Sequence, residues 1–530
     1  MHAVETFEII LVLLALVMGL HWAALKLQLP PAAVLLVGGG VLAFAPGLPQ
    51  ITLDPELALI LFLPPMLVDG AFYTPLVRFR RQLPGILSLA VGAVVFTTLA
   101  VGLTVHWLMP ELPWAACFAL GAVVSPPDAV SARAVLKGVT LPRRLTTLLE
   151  GESLLNDATG LILFRFAVAA ALSGTFNLAE ALGGFLLLAL GGAIVGALLG
   201  AAWVFVIQRL EDRMLVICAN IALCWVAYLA GEALHVSGVI ATVVAGLVQG
   251  WYQHTVVHAG ARLQGGSTQR SLGFVLEALV FILIGFSLRG VLERMGGIGA
   301  VSPIMIWTVL GVVVTVLVAR YVWVFGVDRL TALARGLGVQ QANPLGWRQS
   351  TVLGSAGMRG VVTLAIALAL PLDMPGRDLT LVAAFAVIFA TVVLQGTSLG
   401  WLIRQVRPED TEPLAPVPMA RAELAIARAR NAVIEAGSVG PDGEVTHPIL
   451  LEMHRRRLEF METYAENAEA ELANLQPTFD LQLQAHAAGR AELIRLHRAG
   501  LIEDEVLHNL ERDLDIEEMA IHFQRSEESP

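Results

Sequence analysis

The sequence predicts an all-α polytopic membrane protein of about thirteen transmembrane helices, two of them broken and related as an inverted repeat, with a soluble helical C-terminal tail. Three observations predict it: the composition, the spacing of the apolar runs, and two interruptions within those runs. Of the 530 residues, 56% are hydrophobic and 15% charged, and the mean hydropathy is +0.72. A soluble domain carries about 25% charged residues, and water could not be kept from this much apolar surface by folding alone. The composition excludes a nucleic-acid binder, a secreted disulfide scaffold and an ordinary cytosolic enzyme. Charge divides the chain in two: residues 1–407 carry a net +4 and residues 408–530 a net −14. The three cysteines, Cys117, Cys218 and Cys224, all lie in apolar runs and read as small buried hydrophobes. The acidic start, with Glu5 and Glu8, lacks the basic region of a cleaved signal, so the first apolar run is expected to stay.

A helix needs roughly 20 apolar residues to cross a bilayer. Thirteen runs qualify, at about 7–26, 31–47, 54–76, 83–109, 113–137, 144–174, 178–208, 214–231, 235–252, 271–291, 302–327, 346–371 and 378–403. Basic residues gather after the odd-numbered spans: Lys26; Arg78, Arg80 and Arg81; Lys137, Arg143 and Arg144; Arg209 and Arg213; Arg262 and Arg270; Arg329, Arg335 and Arg348. The loops after even-numbered spans hold Arg289, Arg294 and Arg377. This bias predicts an N-terminus outside and a C-terminus in the cytoplasm.

The fifth span is interrupted by Ser125-Pro126-Pro127-Asp128, where paired prolines cannot continue the hydrogen-bond ladder. The twelfth carries Gly354-Ser355-Ala356-Gly357-Met358-Arg359-Gly360, a glycine cluster with a charge in mid-span. The two breaks are seven spans apart, an odd offset, so they run in opposite directions, the footprint of an inverted repeat in a secondary transporter. The tail reads as helices over 419–437, 448–475 and 479–523, punctuated by Gly440-Pro441-Asp442-Gly443 and by Gln476-Pro477.

Charges inside hydrocarbon are expensive and mark function unless they pair or reach an interface. The densest set lies in Glu150-Gly151-Glu152-Ser153-Leu154-Leu155-Asn156-Asp157. On a helix Glu152 and Asn156, and likewise Ser153 and Asp157, are i,i+4 neighbours, and the four span roughly 140° of one face. Carboxylate, amide and hydroxyl oxygens suit a hard cation such as Na⁺. The alternative is an interhelical hydrogen-bond network without ions. Asp69 and Asp128 read as second ligands or hydrogen-bonding supports, and Glu277 as a proton acceptor or a structural hydrogen-bonder. Arg359 should not stand unpaired at mid-membrane, and Glu152 is its expected partner. Arg165 and Arg320 receive no role, and His21, His106 and His235 read as interfacial.

The string Gly151-Glu152-Ser153-Leu154-Leu155-Asn156-Asp157, with Leu63-Pro64-Pro65-Met66-Leu67-Val68-Asp69, Arg359-Gly360 and Gln395-Gly396-Thr397, resembles the sodium/proton exchangers of the monovalent cation:proton antiporter-1 family, in a bacterial form. The resemblance covers about 5–407 and keeps the motif order. It implies a thirteen-helix inverted-repeat fold, a homodimer, and a core domain moving like an elevator against a dimerisation domain. It further implies that Asp157 is the ion and proton carboxylate, Asn156 its partner, and Glu152–Arg359 a stabilising ion pair. Where the family writes Thr-Asp-Pro, this chain has Pro127-Asp128-Ala129, so the hydroxyl is lost and the aspartate kept.

The expected function is exchange of Na⁺, with K⁺ and Li⁺ as rival cations, for H⁺ across a bacterial inner membrane. Na⁺ would lie at Asp157, Asp128 and Ser153. No cofactor beyond the transported ions, no enzymatic activity and no nucleic-acid partner are expected. Na⁺ and H⁺ compete for one carboxylate, and an empty anionic site crossing the membrane would carry the full desolvation penalty, which suppresses leak. With Asn156 beside Asp157 instead of a second aspartate, one Na⁺ exchanges for one H⁺ without net charge. A sodium-coupled symporter of an organic solute or a cation channel is the alternative; a symporter would need substrate-anchoring groups of which the spans hold no surplus. A membrane enzyme would need a His-Glu-x-x-His, paired-aspartate or Ser/His signature, and a sensor would need a signalling motif in the tail; neither is present. Two domains are expected, 1–407 for transport and 408–530 as an acidic cytoplasmic tail.

Overall fold

The computed structural model describes residues 3–45, 55–128, 141–174, 177–294, 302–339, 343–410, 419–439, 444–466, 468–499 and 501–527. Two compact units form, Met1–Glu412 and Pro413–Pro530. Among the described residues the regular structure is helical, apart from one isolated bridge between Val439 and Val445.

In the first unit the helices follow the apolar runs. They are α1 (Ala3–Leu27), α2 (Pro31–Leu42), α3 (Pro55–Tyr73), α4 (Leu76–Leu108), α5 (Trp114–Val124), α6 (Arg143–Ser173) and α7 (Leu178–Ile207). Then come α8 (Arg213–Ala233), α9 (Gly238–Val256), α10 (Ala259–Arg294), α11 (Pro303–Gly336), α12 (Trp347–Ser355), α13 (Val361–Leu368) and α14 (Arg377–Val406). Seven of these are long and apolar enough to cross a membrane, and shorter apolar helices accompany them. Local chemistry sets the ends. Pro31 opens α2 at a position whose N–H has no intrahelical partner in any case. Gly174, at φ +71°, closes α6 in the left-handed conformation that glycine adopts freely.

Two helices carry a π-helical turn, at Ser88–Ala93 in α4 and Ala390–Gln395 in α14. Such turns leave ladder groups to be satisfied elsewhere. The indole of Trp323 on α11 donates to the Ser88 carbonyl at 3.0 Å. Backbones also meet directly: a Cβ at Gly39 would run into the Ile282 carbonyl and one at Gly285 into that of Leu36, so α2 and α10 touch main chain to main chain. Cys117 and Cys224 are buried, whereas Cys218 is exposed on α8.

The twelfth run is broken as expected, and the fifth stops being helical where its break is expected. Helix α5 stops at Val124, ahead of Pro126 and Pro127, and the remainder of the fifth apolar run, 129–137, lies outside the described residues. The twelfth run splits into α12 and α13 around residues 356–360. The breaks touch: the Asp128 amide donates to the Met358 carbonyl at 2.6 Å.

Among the described residues the second unit forms α15 (Met419–Ser438), α16 (Pro448–Glu466), α17 (Ala468–Arg498) and α18 (Asp504–Glu527). They pack as two hairpins, α15 on α16 and α17 on α18. Arg428 reaches Glu462 at 3.0 Å across the first, and Arg490 reaches Asp515 at 2.6 Å and Glu518 at 2.7 Å across the second. Here the punctuation differs from expectation. Pro477 lies inside α17, since one proline removes one ladder bond without ending a helix held by packing. The expected continuous helix 479–523 instead turns back after Arg498, where the Leu501 amide donates to the Leu496 carbonyl at 3.0 Å and satisfies a terminal acceptor.

Candidate cation and proton site

The polar string on α6 faces two directions, and helical periodicity is the reason. Ser153 and Asp157 are one turn apart on one face, with Glu150 a further turn back; Glu152 and Asn156 lie about 100° round from them. The first face lines a cavity of ≈ 30 Å³ together with Asp128, Leu63, Met66, Leu67, Gly70, Leu154, Val361 and Val362. Asp157 is 8% exposed and Asp128 half-buried. One water needs about 10–15 Å³ on this measure, so the cavity has room for a water-sized occupant or a largely dehydrated cation. Two carboxylates repel across so small a space when both are ionised, and a bound cation or proton offsets the repulsion.

The second face is structural. Asn156 is fully buried, and its Nδ2 donates to the Pro127 carbonyl at the end of the first break. It is not among the residues that line the cavity, and its amide latches the chain just after the end of α5. Its Oδ1 accepts no hydrogen bond among the described residues.

Glu152 corrects the expected ion pair. Its carboxylate is 2% exposed and is gripped bidentately by Arg320 of α11, Nη1 to Oε1 at 2.6 Å and Nη2 to Oε2 at 2.8 Å. The same guanidinium donates through Nε to the Leu353 carbonyl, in the last turn of α12, at 3.2 Å.

Arg359, expected to pair with Glu152, is 1% exposed and instead caps the end of α5. Its Nε donates to the Val124 carbonyl at 3.1 Å, Nη2 to the Ser125 carbonyl at 3.1 Å, and Nη1 to the Gly357 carbonyl. The last carbonyls of a helix lack partners and carry the negative end of its dipole, so they both accept these bonds and balance the charge. The two arginines thus do equivalent work, Arg359 at the end of α5 and Arg320 at the end of α12. Thr391, in the π-helical turn of α14, accepts from the Arg359 amide at 2.9 Å.

Gly360 completes the site. A Cβ there would collide with Oδ2 of Asp128, so the second break can approach the first only without a side chain at this position.

The other expected residues lie elsewhere. Asp69 is half-buried on α3, next to Gly70, and is not itself on the cavity wall. Glu277 lines a separate cavity of ≈ 460 Å³ with His21, Gln28, Trp401 and Arg404. Arg165 pairs with Glu232 at 3.0 Å in an exposed position. Arg320 was the residue that sequence reasoning missed. The one signal was an arginine within an apolar span, which needs a partner as much as Arg359 does.

Comparison with known proteins agrees with this geometry. The family model for the transmembrane sodium/hydrogen exchanger matches residues 12–405. A sodium, potassium, lithium and rubidium/H⁺ antiporter of Bacillus pumilus is 33% identical over 416 residues, covering 74% of this chain and 61% of that protein. The matched stretch thus spans less than two thirds of that relative's length. An uncharacterized Na⁺/H⁺ exchanger of Mycobacterium tuberculosis is 30% identical over 508 residues, covering 94% of this chain and 92% of the other. The solved structure of the sodium proton antiporter MjNhaP1 from Methanocaldococcus jannaschii aligns with a TM-score of 0.61 at 20% identity, over 78% of this chain and 100% of that one, and shares its fold. By a family match that runs from α1 to α14 and contains every residue of the cavity and of the two broken helices, the chain belongs to the sodium/hydrogen exchanger family.

Proposed function

We propose that the protein exchanges Na⁺ for H⁺ across a bacterial inner membrane, one for one and without net charge, by alternating access of the elevator type. The observation that carries this reading is Asp157, almost wholly buried, on a cavity of ≈ 30 Å³ shared with the Ser153 hydroxyl and Asp128. A cation or a proton can neutralise that carboxylate, and there is no room for both with an organic solute, whose sites measure about 300–1,000 Å³. This disfavours a symporter using Asp157 as its coupling site. The Bacillus pumilus relative's name includes potassium, lithium and rubidium beside sodium, so K⁺ and Li⁺ are the first alternative cations.

In this reading the described helices are part of a thirteen-span inverted repeat, with the two touching breaks as its symmetry-related centre. The chain works as a homodimer, with the N-terminus outside and the acidic tail in the cytoplasm. Contacts at the helix ends support that orientation. Arg143, at the start of α6, pairs with Asp410 at 2.7 Å, and Arg348, at the start of α12, pairs with Glu409, just past the end of α14. Three ends assigned to the cytoplasm by their basic loops therefore meet on one side.

The experiment is exchange in proteoliposomes with an imposed pH gradient, adding Na⁺, K⁺ and Li⁺ in turn. Na⁺ should dissipate the gradient at a rate insensitive to membrane potential, and Asp157→Asn should abolish the response while the protein remains folded. Exchange that persists in Asp157→Asn would show that another group carries the ion, and a rate that tracks the potential would rule out electroneutrality.

A further inference from the structure

Among the described residues, the cavity of ≈ 460 Å³ shares no lining residue with the cavity of Asp157. Its walls come from α1, α2 and α10 on one side and from the last turns of α14 on the other. The α14 residues on it, Gly396, Thr397, Gly400, Trp401 and Arg404, recur at helical spacing and so form one face. Ala278 and Phe281 of α10 are buried apolar wall, whereas Leu25, Leu29 and Trp401 are exposed. Gln28, just past α1, holds the left-handed conformation at φ +54°, so an amide side chain stands on the wall at a position where glycine usually closes a helix. Besides Arg404, the ionisable groups of the wall are Glu277 and His21, whose ring lies edge-on to Phe274 at 4.7 Å. Both sides end in interfacial anchors: α1 carries Trp22 and Lys26, the ammonium 5.0 Å from the indole, and α14 carries Trp401 and Arg404. Tryptophan beside a basic side chain marks headgroup depth in a bilayer.

We propose that this cavity binds one phospholipid of the surrounding leaflet by its phosphate, with Arg404 as the charged ligand, Gln28 as a second donor, and Leu25, Leu29 and Trp401 along the acyl chains. A guanidinium presents paired N–H donors that match two phosphate oxygens, and the Gln28 amide adds a neutral donor. Neither His21 nor Glu277 is a ligand in this assignment. The volume lies within the range of about 300–1,000 Å³ that holds an organic ligand, so a free phosphate ion would leave most of it empty and the exposed apolar rim uncovered. A phospholipid meets both demands, because one molecule brings an anionic phosphodiester to headgroup depth and hydrocarbon to the rim.

The test is native mass spectrometry of the full chain, delipidated in detergent and titrated with phosphatidylglycerol, with diacylglycerol and inorganic phosphate as separate arms. The parent should take up one phosphatidylglycerol per chain ahead of any further lipid. Diacylglycerol, which lacks the phosphate, should not bind at the same concentration, and inorganic phosphate should not displace the lipid. Arg404→Gln should weaken binding about 10-fold or more, the loss of a hydrogen bond to a charged group. It changes an exposed side chain, so it should melt with the parent in lipid-free detergent. A Cβ at Gly400 would meet open space, so Gly400→Phe should fill the cavity without a backbone collision and abolish the first binding step. Parent-like binding in either variant overturns the proposal. Equal uptake of diacylglycerol overturns it as well, because the phosphate would then not be recognised, and displacement by inorganic phosphate would reduce the cavity to an ion site. The readout is binding and not transport, so it stands apart from the exchange reading.

Discussion

Glu152 has two arginines within its neighbourhood, and the structure gives it to Arg320, which makes a stability experiment decisive. The pair is 2% and 3% exposed and bidentate at 2.6 and 2.8 Å. Arg320→Met leaves an uncompensated buried carboxylate, a loss of about 3–5 kcal/mol. It also strips the donor from the Leu353 carbonyl, worth about 1 kcal/mol more. Glu152→Met leaves the guanidinium unpaired and should be comparably damaging. Replacing both by methionine removes the two charges together and fills the space with apolar volume, so the double variant should be more stable than either single one. At roughly 1–2 °C per kcal/mol for a unit of this size, the singles should melt about 3–10 °C below the parent in detergent. Size-exclusion chromatography after a heating series reads this directly. The same cycle between Glu152 and Arg359 should show the weaker coupling, since Arg359 is satisfied by Val124, Ser125 and Gly357 carbonyls. A coupling of Glu152 to Arg359 that equals or exceeds its coupling to Arg320 would refute this assignment.

Other consequences follow from close approach and from the division into units. Gly360→Ala should lose most exchange activity and lower the melting temperature by several degrees, because the new methyl group meets Oδ2 of Asp128; parent-like exchange in this variant would mean the two breaks do not approach as described. A chain ending at Glu412 keeps the whole site and every contact of Arg143 and Arg348 with residues 409 and 410, so it should still exchange Na⁺ for H⁺, with an altered pH profile or a weaker dimer. Loss of exchange from a well-folded truncated protein would refute the modular reading, and an unchanged pH profile and dimer would refute a regulatory tail.

Much of this molecule was determined by the order of residues alone. An apolar run of sufficient length must become a helix in a bilayer, because every backbone polar group needs an internal partner there. The prolines at 126 and 127 and the glycines around Arg359 mark helix ends in the sequence, although adjacency alone does not compel one, since Pro64 and Pro65 lie inside α3. Spacing along α6 likewise placed Ser153 and Asp157 on one face before any contact was known. Tertiary structure decided which face of α6 meets the cavity and which meets the breaks, and so separated Asp157 from its neighbour Asn156. It decided that Arg320, 168 residues from Glu152 in the chain, is the ion-pair partner, while Arg359 spends its donors on carbonyls at the end of α5. It also set Glu277 on a different cavity from Asp157, one whose wall includes His21 and Arg404. The physical reason is common to all three. A buried charge requires compensation, but a carboxylate, a helix end or a second arginine's partner can each supply it, and only the packing of distant helices brings one of them within about 3 Å.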